Sequence, residues 1–335
     1  MVRCISVLAL FFAAVSASSI ADNVISKFGN QLRFQHVPND EGGATLTDNW
    51  LKVADLIPSA YLPTRDNQFH LFTRDNPTVS QPLLLYNGAL LLNSNFNASR
   101  RTVILIHGHG GSALSNFNLV LIPSYLAAAD VNVILVDWSR GANSNTVLSL
   151  VNIALSARNV KNFIEFVTST TGQSLADVSL VGVGLGGLQA GLIGRRLRRQ
   201  VGYIAALDPT YWSAVHELLP QFRANDGVYT EVIHTNVGNR GYIKPMGQVD
   251  IYPNGGINMP GCGRDDACDQ ERAYYYWAEA LTSGGFTARQ CTDYEEALLQ
   301  ECQGATLTLG GIEPKTGASG IYSLQTNPSP PFSQG

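Results

Sequence analysis

Three short stretches carry residue types suited to proton transfer: His107-Gly108-His109-Gly110-Gly111, Asp137-Trp138-Ser139 and Leu207-Asp208-Pro209. A fourth is glycine-rich, Gly182-Val183-Gly184-Leu185-Gly186-Gly187. Imidazole and carboxylate groups are the usual acid–base partners, and need only be brought within hydrogen-bond reach of each other. His36, His70 and His216 stand alone, with no metal-ligand spacing, and neither a metal nor a cofactor is expected.

The elements that must position these stretches are legible as nearly continuous apolar runs. Residues 102–106 (Thr-Val-Ile-Leu-Ile), 131–136, 178–181, 203–206 and 231–234 read as buried parallel strands. Helical stretches over 147–168 and 188–199 separate them, and 69–73 suits an earlier, antiparallel strand. Strand–helix alternation predicts an α/β fold with a mainly parallel, doubly wound sheet and helices on both faces. Each stretch named above follows a strand, and active sites in open α/β sheets form beyond the carboxyl ends of the strands. The last forty residues read as irregular until 320–325, with a frayed Pro-Ser-Pro-Pro end.

The chain has 335 residues, 45 % hydrophobic and 14 % charged, with 22 Lys+Arg against 26 Asp+Glu and a formal charge of −4. Such a chain can bury a large core, which excludes wholesale disorder. Its faint acidity speaks against nucleic acid as a partner. Residues 1–17 have a basic start, an apolar run and small residues ending in Val15-Ser16-Ala17, the pattern of a signal peptide. The run is shorter than the roughly 20 residues a membrane span needs, so the chain is not expected to be transmembrane. Cleavage after Ala17 would remove Arg3 and Cys4, taking the charge from −4 to −5 and leaving Cys262, Cys268, Cys291 and Cys302. Four cysteines in a secreted, extracellular chain imply disulfides. Asn97-Ala98-Ser99 is a glycosylation sequon. Arg195-Arg196-Leu197-Arg198-Arg199 reads as a solvated helix end complementing the macrodipole, with anionic lipid headgroups or an acidic partner as the alternative.

Six motifs occur in the order of one known family: Leu105-Ile106-His107-Gly108, 130–134, Val136-Asp137-Trp138, Leu207-Asp208-Pro209, Val232-Ile233-His234-Thr235 and 250–256. Over residues 65–335 the chain resembles the pancreatic-lipase-like family of secreted neutral lipases and phospholipases, with an α/β-hydrolase fold. The resemblance implies one domain over 18–335, without a C-terminal β-sandwich domain. It also implies pairing of Cys262 with Cys268 and of Cys291 with Cys302, and an oxyanion hole made by the N–H groups of His109 and Leu185. The five residues between Cys262 and Cys268 leave almost no lid, and the loop over 235–246 is short, as in the phospholipase branch.

The sequence departs from the family at two of three catalytic positions. In the Gly-X-Ser-X-Gly elbow, Gly184 stands where the nucleophile belongs, and Ser112 and Ser179 cannot replace it. Asp208 keeps the acid position. In the Cys-X-His-X-Arg arrangement, Cys268 and Arg272 match but Gln270 stands in place of the base; its amide can still hydrogen-bond Asp208. Val183 and Gln248 also replace usual histidines. His216 is the one candidate for a relocated base, and it is set aside because without a nucleophile it has no partner. Arg223 and Asp226 fall in the family's calcium-site region, but Pro220 and Asn225 stand where carboxylates belong, so no calcium is expected.

On this reading the chain resembles a catalytically inactive, insect-type member of the family and is not an enzyme. It would bind lipid or a fatty acyl ligand, or serve storage, as the yolk proteins of flies do. Two alternatives stand beside it: an active triacylglycerol lipase or phospholipase of extracellular lipid catabolism, and a structural or interaction protein using the fold's surface.

Overall fold

A computed structural model describes residues 34–38, 44–48, 61–143, 146–211 and 221–335. The signal-peptide segment, Cys4 and His216 lie outside the described residues. In chain order the elements begin with a hairpin of β1 (Phe34–Pro38) and β2 (Ala44–Asp48). Then come α1 (Pro63–Asp66), β3 (Gln68–Phe72), β4 (Gln81–Leu83), α2 (Gly88–Leu92), β5 (Thr102–Ile106), α3 (Asn116–Ala128), β6 (Asn132–Asp137), α4 (Ser139–Ala142) and α5 (Thr146–Thr171). They are followed by β7 (Val178–Val183), α6 (Leu185–Arg196), β8 (Tyr203–Leu207), β9 (Tyr229–Ile233) and β10 (Val249–Pro253). The last are α7 (Asp266–Thr282), β11 (Thr287–Cys291), α8 (Tyr294–Leu299), β12 (Thr306–Thr308) and β13 (Gly320–Leu324).

Apart from β1 and β2, the described strands form one sheet in the order β12-β11-β13-β10-β9-β8-β7-β5-β6-β3-β4. The block from β13 to β6 is parallel throughout. Antiparallel strands flank it, β3 and β4 on one side, β11 and β12 on the other. Burial on both faces explains the continuous apolar runs: Val103 and Leu105 enter one core while Ile104 and Ile106 enter the other. The first core is closed by Phe117, Leu121 and Tyr125 of α3 with Tyr274 and Trp277 of α7. The second is closed by Ile153, Val160 and Phe163 of α5 with Leu188 and Ile193 of α6. The sheet is thus a doubly wound α/β-hydrolase sheet.

The structure departs from the sequence expectation at two places. The helix expected over 188–199 starts at Leu185 and ends at Arg196, because the chain turns left-handed at Arg198 and Arg199. The C-terminal region is more regular than its composition suggests: α8 ends at Leu299, and β12 pairs with β11 through largely exposed residues that leave no apolar signature.

Candidate functional site

The site forms where β7, β8 and β5 end. β7 runs straight into Gly184, at φ 56° and ψ −119°, and α6 begins at the next residue. That conformation is open to glycine and strained for any L side chain. The flanking glycines have a different cause, close packing. A Cβ on Gly182 would lie 2.2 Å from the Gly186 main chain, and one on Gly186 would lie 2.1 Å from the Ile106 carbonyl oxygen. The Gly184 N–H donates to the Leu207 carbonyl at 3.0 Å, tying the turn to the end of β8. Leu185 sits at the first position of α6, so its N–H has no acceptor inside the helix.

The His107–Gly111 loop faces this turn. Trp138 N–H donates to His107 Nε2 at 3.1 Å, leaving Nδ1 to donate to the Gly108 carbonyl at 3.0 Å. The Trp138 indole N–H donates back to the His107 carbonyl at 2.8 Å. His107 is therefore a structural pin, with both ring nitrogens committed. His109, beside it, is buried, and burial pushes its imidazole down to about 4, so it is neutral near pH 7.

Asp208 follows β8 directly, in a left-handed conformation at φ 44°, and is fully buried. The main-chain N–H groups of Thr235 and Asn236 donate to its Oδ1, both at 2.9 Å, and Gln270 Nε2 reaches Oδ2 at 3.4 Å. Burial raises the carboxyl above its ordinary range, against the pull of those N–H groups and of the His234 and Arg240 charges. Gln270 is held by α7. That helix is capped by the Asp265 carboxylate, which accepts from the Ala267 and Cys268 N–H groups, and is clamped at its start by the Cys262–Cys268 disulfide. Cys291 is bonded to Cys302, beside α8.

The structure thus brings Gly184, Leu185, Asp208 and Gln270 together at the carboxyl ends of the central strands. Around them lie Arg240, Gly241 and Asp269, which the motifs did not single out, and His234, which belongs to one of them. Arg240, largely buried, donates from Nη1 to Gln270 Oε1 at 3.2 Å, which orients the amide so that its NH₂ faces Asp208. Gly241 follows because a Cβ there would lie 2.3 Å from Asp208 Oδ1. Asp269, fully buried beside Gln270, accepts from the Met259 N–H at 2.6 Å; burial pushes its carboxyl up to about 6. His234 donates from Nδ1 to the Tyr242 carbonyl at 2.8 Å and bonds the Asp250 carboxylate through Nε2 at 2.9 Å, stacked on Tyr252. The short loop after β9 was the only sequence signal for Arg240, since its partner lies 30 residues further on.

In the expected calcium region, Asp226 instead takes a bidentate bond from Arg195, at 2.8 and 2.9 Å. Among the described residues no cluster of His, Cys, Asp and Glu could hold a metal ion. Asn97 is exposed, and its side-chain oxygen accepts from the Ser99 hydroxyl at 2.7 Å. Among the described residues no helix is long and apolar enough to cross a membrane.

A strand–glycine turn–helix elbow with a buried acid after the next strand defines an α/β-hydrolase site. The sequence model of the Lipase family matches residues 54–311, and the chain belongs to that family. It is 27 % identical to pancreatic triacylglycerol lipase of Myocastor coypus, over 88 % of this chain and 67 % of that one. It is 31 % identical to phospholipase A1 member A of Mus musculus, over 78 % and 62 %. It is 30 % identical to lipase member H-A of Xenopus laevis, over 70 % and 54 %. The chain spans about half to two thirds of the length of the curated relatives it matches. These relatives overturn the expectation that the chain is not an enzyme: they are named as lipases and a phospholipase, and nothing in the site establishes inactivity. What Gly184 and Gln270 decide is narrower. No acyl-enzyme can form at residue 184, and residue 270 cannot accept a proton near neutral pH.

Proposed function

We propose that this chain is a secreted lipase-family protein that takes up an acyl-ester lipid over Gly184. The ester carbonyl would be directed at the N–H groups of His109 and Leu185. The observation that carries the reading is the preserved elbow: β7, Gly184 and α6 keep the Leu185 N–H at the head of a 12-residue helix, aimed where an acyl oxygen would sit. Glycine at 184 carries no side chain of its own to compete with an acyl carbonyl for that position. Asp208, Gln270 and Arg240 form the polar wall of this site, and residues 18–335 act as one domain stapled by the two disulfides. A sugar on Asn97 would be carried on the exposed surface.

The relatives' names favour a second reading, hydrolysis of the bound ester as a triacylglycerol lipase or phospholipase. In that case the nucleophile is not residue 184, and attack comes from water or from another group. One experiment addresses both readings. The purified secreted chain is incubated with short acyl esters, triacylglycerol and phosphatidylcholine, and bound lipid and released fatty acid are both measured. Saturable uptake supports the site, and fatty acid release above a Leu185→Pro control supports turnover there. Absence of uptake of all three refutes the proposal.

A further inference from the structure

The outer surface where α5 meets the end of α6 combines exposed aliphatic side chains with arginines. On α5, Val151 and Leu155 are 44 % and 45 % exposed, one turn apart, and Arg158 continues the same face one turn on. The end of α6 packs beside them, with Arg196 donating from Nη1 to the Ala154 carbonyl at 2.7 Å. Beyond it, Arg198 and Arg199 are exposed and both left-handed, at φ 58° and 63°. Arg199 N–H closes the helix end on the Gly194 carbonyl at 2.9 Å. Two consecutive arginines in that conformation carry a backbone cost that glycine or asparagine would avoid.

Arg195 is neutralised by Asp226, but among the described residues Arg158, Arg196, Arg198 and Arg199 form no ion pair with a carboxylate. Burial and the neighbouring Arg158 and Arg195 charges lower Arg196, the mark of cations crowded without a counter-ion. A solvated helix end explains charge at Arg195 and Arg196. It does not explain Arg158 on another helix, or the two exposed aliphatic side chains on the same face as Arg158.

We infer that this face docks on an anionic phospholipid surface, with Val151 and Leu155 entering the headgroup layer and Arg158, Arg196, Arg198 and Arg199 meeting lipid phosphates. Charge complementarity selects the occupant: guanidinium groups pair with phosphate in a fork, and exposed aliphatic side chains favour a lipid interface over a wholly polar acidic protein. The inference goes beyond the acyl site, whose residues lie at the other end of α6, and does not rest on it.

The test is co-sedimentation of the full secreted chain with vesicles of phosphatidylcholine alone and with phosphatidylserine added. Binding is expected to be stronger with phosphatidylserine than with phosphatidylcholine alone, and that excess is expected to fall as salt is raised. Each arginine removed should weaken it about fivefold, so R198Q/R199Q loses about 25-fold and R158Q, on an exposed helix face, about fivefold. Leu155→Ser should weaken binding at high salt, where the apolar contribution remains. Failure of the wild type to bind phosphatidylserine vesicles, equal binding to phosphatidylcholine alone, or unchanged binding by R158Q and R198Q/R199Q would each overturn the inference. Acyl-lipid uptake by R198Q/R199Q, measured without vesicles, should match wild type and separates failure of this face from failure of the site.

Discussion

Replacing Gly184 by serine reinstates the side chain that the elbow usually carries, and its effect on stability follows from two structural numbers. At φ 56° and ψ −119° an L residue pays a backbone cost of about 1–3 kcal/mol. Against this, losing glycine's freedom in the unfolded chain contributes about 0.4–1 kcal/mol of stability. The net expectation is destabilisation of about 1–2 kcal/mol. Unfolding entropy of about 2.1 cal/mol/K per residue makes one kcal/mol worth about 1.5 °C for a chain of this length, so Tm should fall by about 1.5–3 °C. Differential scanning calorimetry on the purified protein reads this directly. Gly88→Ser is the control: Gly88 opens α2 with no positive φ, and its nearest neighbour to an added Cβ is Thr170 at 3.7 Å, so its Tm should stay within about 1 °C. An unchanged or raised Tm for Gly184→Ser, with Gly88→Ser unchanged, would refute the idea that glycine relieves strain at this turn.

Other consequences follow from the same packing. Gly186→Ala drives a Cβ into the Ile106 carbonyl and should cost about 4 kcal/mol or more, read as a lost yield of folded protein. Gln270→Leu strips Asp208 and Arg240 of a shared buried partner and should lower the urea midpoint by an amount equivalent to about 1–3 kcal/mol. Asp269, raised to about 6 in the fold, binds its proton more tightly there than in the unfolded chain. Its contribution is therefore fully present below its ordinary value near 3.8 and is lost as pH rises through about 6; Asp269→Asn should flatten that fall in a urea-midpoint series. Opening the Cys291–Cys302 bridge, with a sequence separation of 11, with paired serines should cost about 3 kcal/mol by loop closure, measured by thermal melting.

How much of this was legible in the sequence varies with the physics of each part. The central strands announced themselves because both faces are buried, so 102–106 and 178–183 are apolar almost without interruption. Gly182 and Gly186 were readable as a motif, but only the distances show that they serve packing while Gly184 serves conformation. Gln270 was readable as a partner of Asp208. Arg240 was not, because the contact joins a loop after β9 to α7 and no local pattern encodes it. Nor could His107 and His234 be sorted from sequence into structural pins; that required seeing acceptors and donors already committed at their ring nitrogens. The basic run at 195–199 looked like a helix end, and only the fold sets it beside Arg158 and two exposed aliphatic residues. The absent serine and histidine pointed to inactivity, which residue types alone could not establish, and the lipase and phospholipase relatives reverse that expectation.

The measurement that tests the account most directly removes one main-chain donor. Leu185→Pro deletes the N–H at the first position of α6, where proline is tolerated, and Leu185→Ala controls for the lost side chain. Each is titrated calorimetrically with a soluble short-chain diacyl phosphatidylcholine below its micelle concentration, and the same samples are analysed for released fatty acid. Saturable binding to the wild type is expected, weakened about five- to tenfold more by Leu185→Pro than by Leu185→Ala, the loss that one hydrogen bond would give. No saturable binding to the wild type, or equal binding by the two variants, would contradict it.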